Sequence, residues 1–343
     1  MLTNKVLFRK ITFITTIAVY LLILVGGIVR NTGSGMGCPD WPKCFGSYVP
    51  PTSDENLPKG YQKIYLEKRL AKTDRLVRLL TKLGMNATAQ KLMNDPNIDR
   101  EERFDVKTAW IEYINRLIGV VIGFLIIATT ATSFSYWNEK RAVTIMAILG
   151  LVLVLFQGWF GSLVVATNLI PGFVSVHMFL ALLQIAILTY LLYASEKESS
   201  SLDSGIFVGA LVLFILMLAQ LFLGTKVRHV IDQAVFNELD KALWLSGIDW
   251  TFYVHRSLSI LIFIGAGFML YRSLKKRNLS KGHLRVVTSI FGLVVLEAIG
   301  GAVMYYLDFP PFIQPLHLLM ASLLFGLLFY LLLASRKSVN SLS

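Results

Sequence analysis

The sequence predicts an all-α polytopic membrane protein, and three observations carry that reading. Hydrophobic residues make up 55% of the 343-residue chain and charged residues only 16%, where soluble domains carry about a quarter. The apolar residues fall in blocks of about 20, the length a helix needs to cross a bilayer. Short polar segments separate the blocks. The net charge of +12 follows from basic residues flanking the blocks, and no soluble basic domain is present to bind nucleic acid.

Eight spans follow in order. The first, 11–30, comes after Lys5, Arg9 and Lys10. That start resembles a signal peptide, but no small-residue cleavage site follows, so it reads as a retained helix. The others run over 111–134, 141–163, 173–194, 205–225, 251–271, 285–306 and 312–334. The basic residues fix their direction. One set of short loops and ends carries Lys140, Arg141, Lys197, Arg272, Lys275, Lys276, Arg277, Lys281, Arg336 and Lys337. The opposite loops, 164–172 and 307–311, carry no Lys or Arg. The positive side faces the cytoplasm, so both termini are expected there and the long segment 31–110 outside. The expected location is the bacterial cytoplasmic membrane, with membrane lipid as a constant partner.

The spans repeat. "QGWFGSLVVATNLIPGFVSVHMFLALL" from Gln157 aligns without a gap on "EAIGGAVMYYLDFPPFIQPLHLLMASLL" from Glu297, at an offset of 140 residues. Gly161 meets Gly301, Pro171 meets Pro311 and His177 meets His317. The same offset brings Asn115 onto His255 and Arg116 onto Arg256. "GGIVR" ending at Arg30 is related to "LGTKVR" ending at Arg228, at a larger offset. We expect two four-helix bundles, 1–199 and 200–343, about a pseudo-twofold axis along the membrane normal.

Five histidines are present. His283 lies in the basic loop before the seventh span and reads as solvated. His229 follows Arg228 and has two readings, a propionate partner or a solvated residue. His255 and His317 each lie just inside the end of a span, at similar depth. An imidazole in lipid is costly without a partner. Facing imidazoles can hold one haem iron through two axial bonds, whereas zinc wants three or four protein ligands. A hydrogen-bonded pair of core histidines is the alternative. In the first half His177 faces Asn115, a poor iron ligand, which leaves one iron face open or weakly occupied. Glu112 lies one helical turn before Asn115, on the same face. Its counterpart, Phe252, is apolar, so the carboxylate belongs to the first half alone. It is either a proton-handling group near a porphyrin edge or a glutamate facing water. Glu297, deeper in the seventh span, is an intramembrane carboxylate aligned with Gln157. Arg30, Arg116, Arg228 and Arg256 recur in both halves, which favours haem propionates over lipid phosphates as their partners.

"GGIVRNTGSGMGCPDWPKCFG", "WIEYINRLIG" and the paired histidine helices together resemble the haem A synthase family, over nearly all eight spans. The resemblance implies oxidation of the C8 methyl of haem O to a formyl group, giving haem A for cytochrome oxidase. It implies a b-type haem in the C-terminal half, on His255 and His317, and the substrate haem O in the N-terminal half, beside His177. It assigns the catalytic carboxylate to Glu112. The family pattern has histidine where this chain has Asn115, which calls into question a second ligand on the substrate iron. Haem O synthase, an electron donor and cytochrome oxidase assembly factors are the partners so implied. Cys38 and Cys44 fall outside the membrane, in an oxidising compartment. The intervening "PDWPK" can form a turn that brings the thiols together, so a disulfide is one reading; the resemblance adds a catalytic role in passing reducing equivalents or handling haem beside the N-terminal site. Residues 58–94 have Leu, Ile and Val near helical spacing among many Lys and Arg. They read as one or two amphipathic helices over the outer surface, a cap, a docking site or a solvated insertion.

Two other functions compete. A membrane b-type cytochrome for electron transfer would want two tightly ligated haems, and Asn115 argues for one. A haem-binding or transport protein would want ligands reaching both sides, and here they cluster near one leaflet.

Overall fold

The computed structural model describes residues 2–94, 103–167, 169, 171–196, 204–236, 239–240, 243–244, 250–276 and 279–339. Among them the α-helices are α1 (Leu2–Asn31), α2 (Tyr61–Lys82), α3 (Asn86–Met93), α4 (Val106–Ser133) and α5 (Arg141–Ala166). Then come α6 (Pro171–Ala194), α7 (Ser204–Phe236), α8 (Trp250–Lys275), α9 (Lys281–Tyr306) and α10 (Ile313–Val339). All but α2 and α3 are long and apolar enough to cross a membrane, and these eight coincide with the expected spans. A helix satisfies its own backbone polar groups, which lipid cannot do. Outward faces carry exposed Phe124, Leu155, Ile264 and Phe268, while Ile122, Ile185, Leu188, Leu328 and Leu331 are fully buried inside. Buried hydroxyls are satisfied locally: Thr12 Oγ1 donates to Phe8 O at 2.7 Å, and Thr15 Oγ1 meets Thr129 Oγ1 at 3.1 Å, joining α1 to α4.

The eight long helices pack in two rings. α1 packs on α4, α4 on α5, α5 on α6 and α6 back on α1. α7 packs on α8, α8 on α9, α9 on α10 and α10 back on α7. The rings meet where α10 lies against α1 and α6. In each ring the two helices expected to carry ligands, α4 and α6 or α8 and α10, sit on a diagonal and are bridged by their neighbours.

One end of the bundle gathers the N-terminus and the basic loops. Lys5 pairs with Glu139, Arg9 Nη2 lies 3.1 Å from Glu196 Oε1, and Lys140 Nζ donates to Ala194 O at 2.9 Å. Lys197 and Arg277, and the side chains of Arg336 and Lys337, lie outside the described residues. At the opposite end, α2 and α3 bury Leu76, Leu80, Ala89 and Leu92 against Leu163 and Phe173. The insert therefore forms the amphipathic helices its spacing indicates, with their apolar residues packed against α5 and α6.

Two expectations are corrected. His283 is not a solvated loop residue: it is 5% exposed, in the first turn of α9. Ser280 caps that helix by accepting from His283 N, and its Oγ lies 2.7 Å from His283 Nδ1. The fifth span does not end at 225 either. α7 continues to Phe236, because its polar extension is supported by an i,i+4 contact of 2.6 Å between Arg228 Nε and Asp232 Oδ1.

Candidate active site

The first part of the site is a loop pinned to a helix. Asp105 caps α4 by accepting from Thr108 N at 2.7 Å. The chain after α1 then lies directly against that first turn. A Cβ on Gly37 would stand 2.4 Å from Thr108 O, so only glycine allows the approach. The approach delivers Cys38 N to Glu112 Oε2 at 2.8 Å. Cys38 and Cys44 form a disulfide and are 0% and 1% exposed. They are buried with Phe45 and Ala109 under Tyr61 and Tyr65 of α2. Burial, and after it the Asp40 carboxylate, push the Tyr65 hydroxyl up to about 12, so it stays neutral.

Arg116 fastens this loop. Its Nη1 donates to Asp40 O at 2.7 Å and Lys43 O at 3.0 Å. Its Nη2 donates to Cys38 O at 2.9 Å and also pairs with Glu112 Oε1. All four terminal N–H groups are taken, so Nε–H is the group a propionate would meet. The side chains of Glu112 and Arg116 are 4% and 15% exposed. Glu112 thus sits in the bundle with both oxygens engaged, not at a water-facing surface.

The histidines stand in backbone notches. A Cβ on Gly224 of α7 would come within 3.2 Å of His255 Cε1. On Gly300 of α9 it would come within 3.4 Å of His317 Nδ1, and on Gly161 of α5 within 3.4 Å of His177 Cε1. Gly26, which matches Gly224 through the "VR" steps, would meet nothing within 4 Å. Phe160 stacks on His177 at 6.3 Å between centroids. The Nδ1 atoms of His177 and His255 and the Oδ1 of Asn115 are buried without a partner. Gln220 Nε2 fixes the backbone at His255 O, at 2.9 Å. His317 Nδ1 lies 2.5 Å from Glu297 Oε2, close enough for a charge contact though not aligned as a hydrogen bond. A carboxylate on one ring nitrogen orients an imidazole and raises its basicity at the other. No three His, Cys, Asp or Glu side chains converge on a metal position among the described residues. Imidazoles on diagonal helices, seated against glycines with no Cβ to crowd them, fit an iron already held by a porphyrin.

Sequence reasoning did not find Asp232. Arg30 pairs with it from α1 and Arg228 from α7, so arginines that correspond in the repeat meet on one carboxylate. Their expected propionate role therefore has Asp232 as a competitor. Arg256 is exposed and lies 6.0 Å from the Tyr253 ring centre. An apolar cavity of about 440 Å³ lies between α5, α6, α7 and α10, with Phe179, Leu182 and Phe325 in its wall.

These features define a class: a multi-pass helical membrane protein whose interior imidazoles suit haem, with a buried carboxylate joined to a disulfide loop. The chain belongs to the cytochrome oxidase assembly protein family (COX15-CtaA), whose sequence profile matches residues 9–70, 84–245 and 244–342. It is 22% identical to the haem A synthase of Bacillus licheniformis over 347 residues, 96% of each chain. It is 23% identical to that of Exiguobacterium sp. over 337 residues, 94% of this chain and 92% of the other. It is 27% identical to that of Shewanella oneidensis over 219 residues, 62% of this chain and 54% of that relative's length.

Proposed function

We propose that this protein is a haem A synthase, an oxidoreductase that converts the C8 methyl of haem O into a formyl group. Two successive hydroxylations, each consuming one O2, two electrons from the donor and two protons and releasing one water, would take the methyl carbon to an alcohol and then to a hydrated aldehyde, which loses water. The N-terminal ring, 1–199, takes haem O, with His177 as the only strong protein ligand and Asn115 opposite. The C-terminal ring, 200–343, takes a b-type haem on His255 and His317, with Glu297 orienting His317. That haem would supply an electron relay. The two rings are read as bundles related by a pseudo-twofold axis. Both termini are cytoplasmic and the disulfide end is outside, as the basic loops indicate. Haem O synthase, an electron donor and cytochrome oxidase assembly factors are the proposed partners.

The observation that carries this reading is the junction of Glu112 with the disulfide loop, on the turn beside Asn115. The backbone N–H of Cys38 and the guanidinium of Arg116 hold the two carboxylate oxygens apart in fixed directions. A carboxylate so held takes up a proton released at the substrate methyl. Cys38 and Cys44 contribute by holding that loop in place. Arg30, Arg116, Arg228 and Arg256 would meet the propionates. Glu112→Gln preserves size and removes the ionisable acid. We expect that variant to bind haem O while haem A disappears from cell extracts, as read by chromatography of extracted haems. Normal haem A from it would remove Glu112 from the chemistry.

A further inference from the structure

A cavity of about 230 Å³ opens between the disulfide loop, α2 and the end of α5. Asp40, Trp41, Lys68, Lys72, Arg75 and Ser162 line it. Lys68, Lys72 and Arg75 stand at i, i+4 and i+7, one face of α2, where like charges repel. Among the described residues no carboxylate pairs with them. Lys68 lies 4.9 Å from the Tyr65 ring centre, and of the two acids in this stretch of α2, Glu67 does not line the cavity and Asp74 is taken by Arg78 at 2.8 Å. Asp40 Oδ2 accepts from Gly46 N at 2.9 Å, but Oδ1 is buried without a partner. The cavity thus offers three cations from one helix face and one bare acceptor, with the buried Arg69, which has a partner of its own, as a fourth cation in the wall.

An apolar stripe leads to it. Val152, Leu155, Trp159, Ser162 and Ala166 recur at helical spacing on one face of α5. Val152, Leu155 and Trp159 are 58%, 65% and 48% exposed, within a membrane-spanning helix, so this face meets lipid. Trp41 is 44% exposed at the cavity, and with Trp159 it makes the aromatic pair expected at a membrane interface.

We propose that this cavity is the headgroup site of one tightly held glycerophospholipid. Its phosphate sits among Lys68, Lys72 and Arg75. An ammonium or hydroxyl of its headgroup donates to Asp40 Oδ1. An acyl chain follows the α5 stripe toward the membrane centre. A free anion would use the cations, yet it would be repelled by Asp40 and would leave the stripe without a role. The site is independent of the chemistry assigned to Glu112.

Native mass spectrometry of the full, delipidated protein tests this. The probes are phosphatidylglycerol, phosphatidylethanolamine, phosphatidylcholine and inorganic phosphate. We expect one phosphatidylglycerol or phosphatidylethanolamine retained per chain. Phosphatidylcholine, whose headgroup has no N–H or O–H donor, should be held about tenfold less well. The exposed pair Lys72→Gln/Arg75→Gln should lose at least about tenfold in retention. Lys63→Gln/Lys82→Gln removes the same charge from α2 away from the cavity and should change nothing. Three results would overturn the proposal: unchanged retention in the cavity variant, equal loss in both variants, or displacement of the lipid by inorganic phosphate.

Discussion

Arg116→Ala is the sharpest perturbation the site offers. The guanidinium makes three bonds to loop carbonyls and one to Glu112. Surface ion pairs are worth about 0–1 kcal/mol, but these side chains are 15% and 4% exposed, which excludes that regime. Removing one partner of a buried pair costs about 3–5 kcal/mol, because the other charge is left uncompensated. The carbonyl bonds are each worth about 1.5–3 kcal/mol as charge-assisted bonds, and they overlap with that cost rather than adding to it. A loss of about 3 kcal/mol in holding Glu112 corresponds to roughly a hundredfold in rate. Arg116→Lys keeps the charge but cannot present four donors in one plane, so it should fall between. Two measurements check this: the ratio of haem A to haem O in extracts, and protease sensitivity of residues 38–50 in purified protein. In the Glu112→Gln background the buried charge is gone. There Arg116→Ala should cost measurably less loop protection than it does alone. Equal costs in both backgrounds, or a protected loop with normal haem A in Arg116→Ala, would refute the pinning argument.

Two further outcomes follow from the histidine geometry. His255→Ala or His317→Ala should each abolish the low-spin absorption and EPR signature of the b-type haem, while Glu297→Gln should keep it and shift its potential; a persistent low-spin signal in both alanine variants rejects the pair. Asn115→His should convert the substrate haem to a six-coordinate spectrum, since Gly26 leaves room on that side, and an unchanged spectrum would mean that Asn115 does not face the iron.

The spans and the amphipathic insert were legible because hydrophobic period and helix length are local properties. The repeat added which residues share a depth. What it could not give is azimuth and reach. Glu112 was recognisable, but its bond to Cys38 N joins residues 74 apart in sequence and depends on the close approach of Gly37. Arg116 carried no sign that four acceptors would gather round it, three of them backbone carbonyls. Glu297 was visible as an intramembrane acid, yet its proximity to His317 depends on how α9 and α10 face each other. His283 was misread because a basic loop conceals the Ser280 cap that begins α9. Asp232 was missed because a hydropathy boundary ends a span where the apolar residues end, and α7 does not.

On the proposed function, the departures from the repeat would fit the two halves to two unlike haems. At the position of Glu112 the second half has Phe252, which stacks on Tyr305 at 5.5 Å. At the position of Arg116 it has the exposed Arg256. At the position of Asn115 it has His255, seated on Gly224, whereas Gly26 has open space. The second half therefore places two imidazoles on its diagonal and an apolar surface where a carboxylate would stand, which suits a haem held fixed through oxidation and reduction. The first half loses one imidazole, gains an acid, and secures that acid to a stapled loop under a helical cap. Both changes would serve the proposed substrate haem, which must be reached at its edge and then released. Arg30, Asp232 and Arg228 join the halves across this difference, so a propionate arriving on either side would compete with the same carboxylate. Occupancy of one ring would then alter the arginine available to the other, a coupling that Asp232→Asn should weaken without touching any axial ligand.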